Sequence, residues 1–219
     1  MKHWIHLLGV VALAGIPAID AQAMIVHTFD TEASIAGYSQ AGGDAGSIIT
    51  WNGTAGNPGG AIQYVEPASG SVDRLSLPTA FLGDKSAYFN GSFSFDRFST
   101  NGGSPIARDN DVELVGAGLI LRYDLTHPTS DTWEEFSLTL NDTGDWIDDA
   151  TGNAATNTQI QSVLADLDDV ILNADFHGSP AESTRFDNIS LIPEPASALL
   201  LGVGLALLGR RARSAGQRA

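Results

Sequence analysis

The residue types that carry most enzymatic chemistry are few and scattered in this sequence. Of five histidines, His3 and His6 lie at the extreme amino terminus, and His27, His127 and His177 are far apart. None of them forms a His-x-x-x-His zinc motif or lies near a Gly-x-Ser-x-Gly nucleophile motif. Carboxylates are numerous enough for glycosidase-type acid–base pairs, but no acid stands in an apolar setting that would raise its pKa. We therefore expect a protein that is not an enzyme.

Two segments offer chemistry that suits binding better than catalysis. Trp51 follows a short apolar run in a Gly-rich region, and an exposed indole would offer a sugar its flat apolar face. Packing of Trp51 in the core or under the adjoining loop is the alternative. Residues 142–149 include four Asp, which could collect the oxygen ligands that calcium prefers. Their spacing departs from the Asp-x-Asp-x-Asp-Gly calcium loop, so an acidic, solvated loop is predicted there.

Composition limits the class of protein and its partners. The chain has 219 residues with 24 Gly, two Met and no Cys, which favours a turn-rich β protein and excludes disulfides and thiolate metal sites. The formal net charge is −15, and residues 24–192 alone hold 6 basic and 24 acidic residues, a net of −18. Such a surface repels phosphate backbones, so nucleic acid is excluded as an expected partner. Divalent cations and neutral or cationic polymers remain compatible with it.

The elements that would position these side chains show a strand pattern, most clearly between residues 75 and 125. Phe89, Phe93 and Phe95 occupy alternating positions, and small polar residues lie between them. This alternation is typical of a strand with one buried face and one solvent-exposed face. In residues 111–123 the apolar parity changes at Gly116-Ala117-Gly118, which predicts a tight hairpin or a bulge. Several antiparallel strands with a dry face require a second sheet to cover them.

Further strands are predicted on both sides of this region, together with one helix. Strand patterns occur at residues 25–30, 47–51, 61–65, 133–140, 170–176 and 186–191. Ile160, Val163, Leu164 and Leu167 follow helical spacing, and Thr158-x-x-Gln161 reads as a capping box at the start of that helix. The prediction is a mainly β chain, with an antiparallel β-sandwich and one short helix against it.

The amino terminus has the layout of a secretory signal peptide. A positive start at Lys2 precedes an apolar run over residues 5–16, and Ala21-Gln22-Ala23 provides a small-x-small cleavage site. Residues 1–23 are therefore predicted to be removed, so that the mature chain begins at Met24. An uncleaved membrane anchor is the alternative, although the apolar run is shorter than the ~20 residues that a spanning helix needs.

The middle of the chain resembles the laminin B domain, also called the laminin IV type A module. The resemblance is carried by an ordered series of motifs at residues 77–85, 88–96, 111–119, 146, 160–167, 169–176 and 187–191. It implies that residues 24–192 form a galactose-binding-like jelly roll used in extracellular structure. The resemblance implies no catalytic residues. The laminin module normally sits among cysteine-rich repeats, which this chain lacks.

The carboxyl terminus, residues 193–219, resembles the PEP-CTERM sorting signal of Gram-negative bacteria, which the membrane protease-transpeptidase exosortase recognises. Its three parts are Pro193-Glu194-Pro195, the uncharged apolar residues 196–209, and the arginines Arg210, Arg211 and Arg213. The apolar part suits a transmembrane helix, and the arginines would hold its end in the cytoplasm. A tail anchor that is never processed is the alternative.

The resemblance to this type of jelly roll also implies a metal site. In such folds the first and last strands run side by side, and many members hold a structural calcium there. Asp30 and Glu32 follow the first predicted strand, and Asp187 opens the last. Their carboxylates, with carbonyl oxygens, would supply the six to eight ligands of Ca²⁺. Alternatively, Asp187 only accepts hydrogen bonds from the adjoining turn.

These features together predict an exported, non-enzymatic surface or extracellular matrix protein. Exosortase would process its inner-membrane precursor at the carboxyl terminus, and the product would associate with exopolysaccharide or biofilm. The alternative is a carbohydrate-binding module with one specific glycan ligand, bound through Trp51.

Overall fold

The computed structural model describes residues 23–43, 45–66, 72–100, 110–125, 131–177 and 182–194. The strands in these ranges are β1 (Ile25–His27), β2 (Ser39–Gly42), β3 (Ile48–Gly56), β4 (Gly59–Val65), β5 (Arg74–Ser76), β6 (Ser92–Thr100), β7 (Val112–Gly116), β8 (Leu119–Tyr123), β9 (Trp133–Thr139), β10 (Ile147–Asp148), β11 (Asn153–Ala154), β12 (Leu167–Asn173) and β13 (Ser183–Ile192). One α-helix, α1 (Asn157–Ala165), precedes β12.

The strands form two antiparallel sheets around a shared apolar core. The first sheet has the order β3-β4-β13-β6-β9, and β1 also pairs with β13. The second has the order β11-β10-β8-β7-β12-β5-β2. Buried side chains of both sheets and of α1 belong to one cluster, which includes Phe95 and Phe186 from the first sheet and Leu114 and Leu172 from the second. The mainly β jelly-roll sandwich with one helix is therefore confirmed.

The parity change at residues 116–118 is a two-residue hairpin turn between β7 and β8. Ala117 and Gly118 both have positive φ, 51° and 74°, as a turn matched to the right-handed twist of the strands requires. Val112, Leu114 and Leu121 are buried on its inner side. In β6, Phe93 and Phe95 are likewise buried, whereas Phe89 lies in the turn before that strand.

The helix begins two residues earlier than its spacing predicts. Thr156 is the residue that caps it: its hydroxyl accepts from the Gln159 backbone N–H, and the Gln159 side chain accepts from the Thr156 N–H. The sequence contains two overlapping Thr-x-x-Gln pairs, and only tertiary packing selects between them. Thr158 is therefore inside the helix, and Leu167 belongs to β12.

The acidic segment 142–149 is solvated only in part. Asp148 is buried and accepts hydrogen bonds from the Ala150 N–H (3.1 Å), the Thr151 hydroxyl (3.0 Å) and the Gln159 side-chain amide (2.9 Å). The prediction of a wholly solvated loop is wrong at this residue, because its carboxylate fixes the turn to the helix.

The segments assigned to export and sorting lie almost entirely outside the described residues. Residues 1–22 and 195–219 belong to them, including Pro195 and the arginines Arg210, Arg211 and Arg213. Pro193 and Glu194 follow directly on β13, and the Glu194 side chain is exposed. Within the described ranges, no helix has the length and apolar character needed to cross a membrane.

Candidate functional site

The first and last strands of the domain lie side by side, as the resemblance implied. In β1, Ile25, Val26 and His27 pair with Leu191, Ser190 and Ile189 of β13. The register of β13 against β6 shifts between Asp187 and Ser190, and Asn188 has a positive φ of 51°. This irregularity lets neighbouring polar side chains of β13 meet the tip of the β3–β4 hairpin.

Asp187 is fully buried at this irregularity and holds the hairpin tip in place. Its Oδ2 accepts a hydrogen bond from the backbone N–H of Asn57 (2.6 Å), and its Oδ1 accepts one from the N–H of Asn188 (2.7 Å). The hairpin approaches closely because Gly60 has no side chain: a Cβ there would lie 2.2 Å from the Phe29 carbonyl oxygen. The alternative role of Asp187, bonding the adjoining turn, is thus present in the structure.

Asp187 also lies in a region of uncompensated negative charge. Burial raises its pKa above the ordinary value, the carboxylates of Asp96 and Asp30 raise it further, and the two backbone N–H donors oppose this. Asp96 pairs with Asp187 across the strands, and its Oδ2 accepts from the side-chain amides of Asn57 (3.1 Å) and Asn188 (2.7 Å). The sequence offered no signal for Asp96, since only the register of β6 against β13 brings it here.

Of the three predicted calcium ligands, the structure brings Asp30 and Asp187 near each other but not Glu32. Asp30 and Asp187 are close enough to interact electrostatically, whereas Glu32 is exposed at the start of a 3-10 turn. Asp30, Asp96 and Asp187 do not have ligand atoms that all lie within 4.8 Å of one another. In the described part of the chain, one group of three carboxylates meets that spacing: Glu66, Asp175 and Glu182. Carboxylate oxygens suit a hard cation at the Asp187 site.

Glu182 lies at the other end of β13 in a neutralising environment. Its carboxylate accepts from the backbone N–H groups of Phe176 (3.0 Å) and His177 (2.8 Å) and from the Ser99 hydroxyl (2.8 Å). His177 Nδ1 lies 3.1 Å from Ser99 Oγ and 3.2 Å from Glu182 Oε1. A Ser–His–Glu triad would place the acid and the nucleophile on opposite ring nitrogens. Here both contact the same nitrogen, and all three residues are buried.

A buried arginine stands next to this group. The Arg97 guanidinium lies between the rings of Phe136 (4.6 Å) and Phe176 (4.1 Å) and pairs with Glu134 at 3.3 Å. Burial lowers the pKa of Arg97, and the nearby carboxylates, Glu182 among them, raise it. The sequence did not single out Arg97, because arginine on an inward strand position is read as an interruption of the dry face.

Trp51 is partly buried at the edge of the core. Its indole N–H donates to the Phe29 carbonyl oxygen at 2.8 Å, and the ring lies close to Gly53. These contacts match the packing alternative for Trp51, and its role in glycan binding stays a prediction.

The outward side chains of the first sheet form one transverse row that the sequence did not indicate. Paired positions on five adjacent strands make up this outer row: Thr50, Gln63, Arg185, Phe98 and Trp133. All five side chains are partly exposed. Trp133 and Phe98 pack with ring centroids 5.5 Å apart, and the Arg185 guanidinium lies 4.6 Å from the Phe98 ring centroid.

Comparison with solved structures finds domains that resemble this one. The L4b domain of human laminin alpha-2 has a TM-score of 0.48 at 15% identity, covering 60% of this chain and 79% of that one. A family 11 carbohydrate-binding module of a Clostridium thermocellum cellulosomal cellulase has a TM-score of 0.48 at 16% identity, covering 78% and 96%. An exo-beta-agarase reaches 0.54 at 13% identity over 78% of this chain, which spans 25% of the agarase and shares its fold there.

Sequence comparison assigns the family. No curated protein matches the chain. The family model for laminin B (domain IV) matches residues 74–194, more than half of the sequence, and this range runs from β5 to the residues that follow β13. The chain therefore belongs to the laminin B (domain IV) family.

Proposed function

We propose that this protein is an exported, non-enzymatic component of the cell surface or extracellular matrix, associated with exopolysaccharide or biofilm. The observation that carries the proposal is the laminin B match over residues 74–194, on a chain whose ends resemble export and sorting signals. Residues 1–23 act as the signal peptide, and residues 24–192 form the exported domain. The strongly acidic domain would stay soluble in a matrix of neutral polymers.

Exosortase is the proposed processing partner. Glu194 is exposed two residues after the end of β13, so a protease at the membrane surface would have access to this side chain. The apolar residues 196–209 would hold the precursor in the inner membrane, with Arg210, Arg211 and Arg213 on the cytoplasmic side.

The absence of catalysis is supported by the geometry of the polar core. Ser99, His177 and Glu182 are the described residues that most resemble a catalytic group, and their side chains are buried and share one ring nitrogen. A general base must reach the proton that it abstracts in a bound substrate. These residues instead tie β6, β13 and the segment after β12 together.

Sorting can be tested in the native host with variants of the carboxyl terminus. We expect Glu194→Ala, or deletion of residues 210–213, to leave uncleaved precursor in the inner-membrane fraction, since each removes one part of the signal. Glu135→Ala, an exposed acid on β9, serves as the matched control and should reach the surface normally. Normal surface delivery of both sorting variants would contradict the proposal.

A structural Ca²⁺ at the Asp187 site is a second part of the proposal. Asp187 and Asp96 are adjacent carboxyl groups, and Asp30 lies on the exposed segment after β1, from which it can approach them. Carboxylates have lone pairs beyond those engaged by the Asn57 and Asn188 donors. Glu32 would bind only if the 3-10 turn moved.

Specific carbohydrate binding is the alternative function, and the outer row of aromatic and amide side chains favours it. The sequence pattern suggests that such binding depends on Trp51. Saturable binding of a soluble glycan that is lost in Trp51→Ala would support that version. The Trp51 contacts with Phe29 and Gly53 make a different surface the better candidate.

A further inference from the structure

The outer row has the composition of a platform for an uncharged polymer. Trp133 and Phe98 supply apolar ring surface, and Thr50 and Gln63 supply hydroxyl and amide groups. Sugars present both apolar C–H faces and hydroxyls, so flat rings beside fixed polar groups suit them. The row crosses five strands, a length of about 19 Å at the usual spacing of neighbouring strands.

The Gln63 side chain of the row is held in place by hydrogen bonds within the protein. The Gln63 amide donates to the Ser183 hydroxyl (2.7 Å), and its oxygen accepts from the Asn52 amide (3.0 Å). Fixed side chains lose little conformational entropy on binding, which favours affinity.

Arg185 is held by its aromatic neighbour rather than by an acid. Its guanidinium lies over Phe98, and within the described ranges no acceptor lies within hydrogen-bonding distance of Arg185 Nε. A cation over an aromatic face is attracted by the ring quadrupole. The ring contact therefore fixes the Arg185 side chain at the centre of the row.

One side of the row is bordered by the β3–β4 hairpin. The next outward positions, Asp96 and Asp187, are covered by the hairpin tip, because Asn57 donates to both carboxylates. The tip therefore stands beside the row and gives it one raised edge. A long polymer lying along the row would contact the strands below and the hairpin at its side.

We propose that the outer row, Thr50, Gln63, Arg185, Phe98 and Trp133, is the surface on which this domain binds a neutral polysaccharide. The proposal rests on the association with polysaccharide proposed above and names its site. The domain charge of −18 disfavours polyanions. A protein partner would need an interface of about 800 Å² per side with an apolar centre, and the row offers only two aromatic side chains.

The test is affinity electrophoresis of the full chain through gels that contain xylan, mixed-linked β-glucan, agarose or dextran, with alginate as the polyanionic comparison. At least one neutral polysaccharide should retard the wild type, and alginate should not. Trp133→Ala and Phe98→Ala should each weaken retention about tenfold, the value of one aromatic contact. Ile120→Ala, exposed on the outer face of the second sheet, is the matched control and should bind normally.

Folding is checked separately. Each variant is melted, and Trp133→Tyr, which keeps an aromatic face, should retain most of the binding that Trp133→Ala loses. Unchanged retention of folded Trp133→Ala and Phe98→Ala, or loss in Trp51→Ala alone, would overturn the assignment of the row while leaving polysaccharide association intact.

Two other results bear on the proposal differently. A wild type that binds none of the neutral polysaccharides, or prefers alginate, would overturn both the row and the polysaccharide association, while surface delivery still tests export. A dimer that dissociates in Trp133→Ala would show that a second copy covers the row, and would overturn the glycan assignment.

Discussion

Two buried acids only five residues apart, Glu182 directly before β13 and Asp187 within it, have different surroundings. Glu182 is surrounded by donors: two backbone N–H groups, a serine hydroxyl and the His177 ring, with Arg97 nearby. Asp187 has two backbone donors but faces the carboxylates of Asp96 and Asp30. Glu182 also lies within 4.8 Å of the Glu66 and Asp175 carboxylates, but more hydrogen-bond donors reach it than reach Asp187.

The difference separates a structural group from a candidate site. A buried carboxylate with a full set of donors stabilises its surroundings and has little need of a ligand. A buried carboxylate that faces other carboxylates is stabilised by a proton or a cation. By the spacing of carboxylates alone, the candidate cation site would be the group that contains Glu182. The hydrogen-bond donors around each acid favour Asp187 as the candidate site instead.

Removal of the Glu182 carboxylate should have the largest effect on stability. Glu182→Ala should lower the free energy of unfolding by about 3–5 kcal/mol, because it leaves buried donors and His177 without their shared acceptor. Urea unfolding of the two proteins measures the difference. Glu135→Ala, an exposed acid on β9, should change stability by no more than about 0.5 kcal/mol. Similar stabilities of the Glu182 variant and the wild type would show that Glu182 does not have the structural role that distinguishes it from Asp187.

Calcium bound at Asp187 should have a smaller effect on stability. At 100 times its dissociation constant, Ca²⁺ should stabilise the wild type by about 2.7 kcal/mol. Asp187→Ala should abolish most of this response, and Glu182→Gln, which changes the buried acid directly before β13, should keep it. Thermal melts with calcium and with chelator provide the measurement. Identical wild-type midpoints in the two conditions would rule out a structural calcium.

The smallest effect concerns pH in the presence of chelator. The pKa of Asp187 is raised above its ordinary value of 3.8, mainly by burial. Protonation of this group therefore favours the folded state, and its contribution, complete below the ordinary pKa, is lost as pH rises through the raised pKa. The stability of the wild type relative to Asp187→Asn should fall as pH rises above the ordinary pKa of 3.8.

Two further results of the pH experiment bear on whether Asp187 is stabilised by a proton or by a cation. With saturating calcium the dependence should change sign, because the cation favours the ionised carboxylate. A wild-type advantage that grows with pH in chelator would mean that the two N–H donors outweigh burial and the neighbouring carboxylates.

The sequence predicts those features that depend on local pattern. The dry faces of β6 and β12, the hairpin at residues 117–118 and the adjacency of the first and last strands all follow from parity, turn residues or the family resemblance. Within the helix, local pattern identified the apolar face but selected Thr158 instead of Thr156 as the cap. Two equivalent motifs two residues apart cannot be distinguished without the packing of the helix.

The polar sites depend on register, which local pattern does not contain. Asp96 meets Asp187, and Ser99 meets His177 and Glu182, only because β6 and β13 pair in one register. The outer row likewise requires the registers of four strand pairs at once. A shift of one residue in any of them would break the row, so its residues could not be selected from the sequence.

Export followed by processing at both ends determines the mass of the mature protein, which can be measured. The protein is released from the surface of the native host and its terminal peptides are identified by mass spectrometry. The account predicts a chain that begins at Met24 and ends within the sorting signal, without residues 210–219. A surface protein that retains its sequence through Ala219 would contradict processing and would show a plain anchor instead.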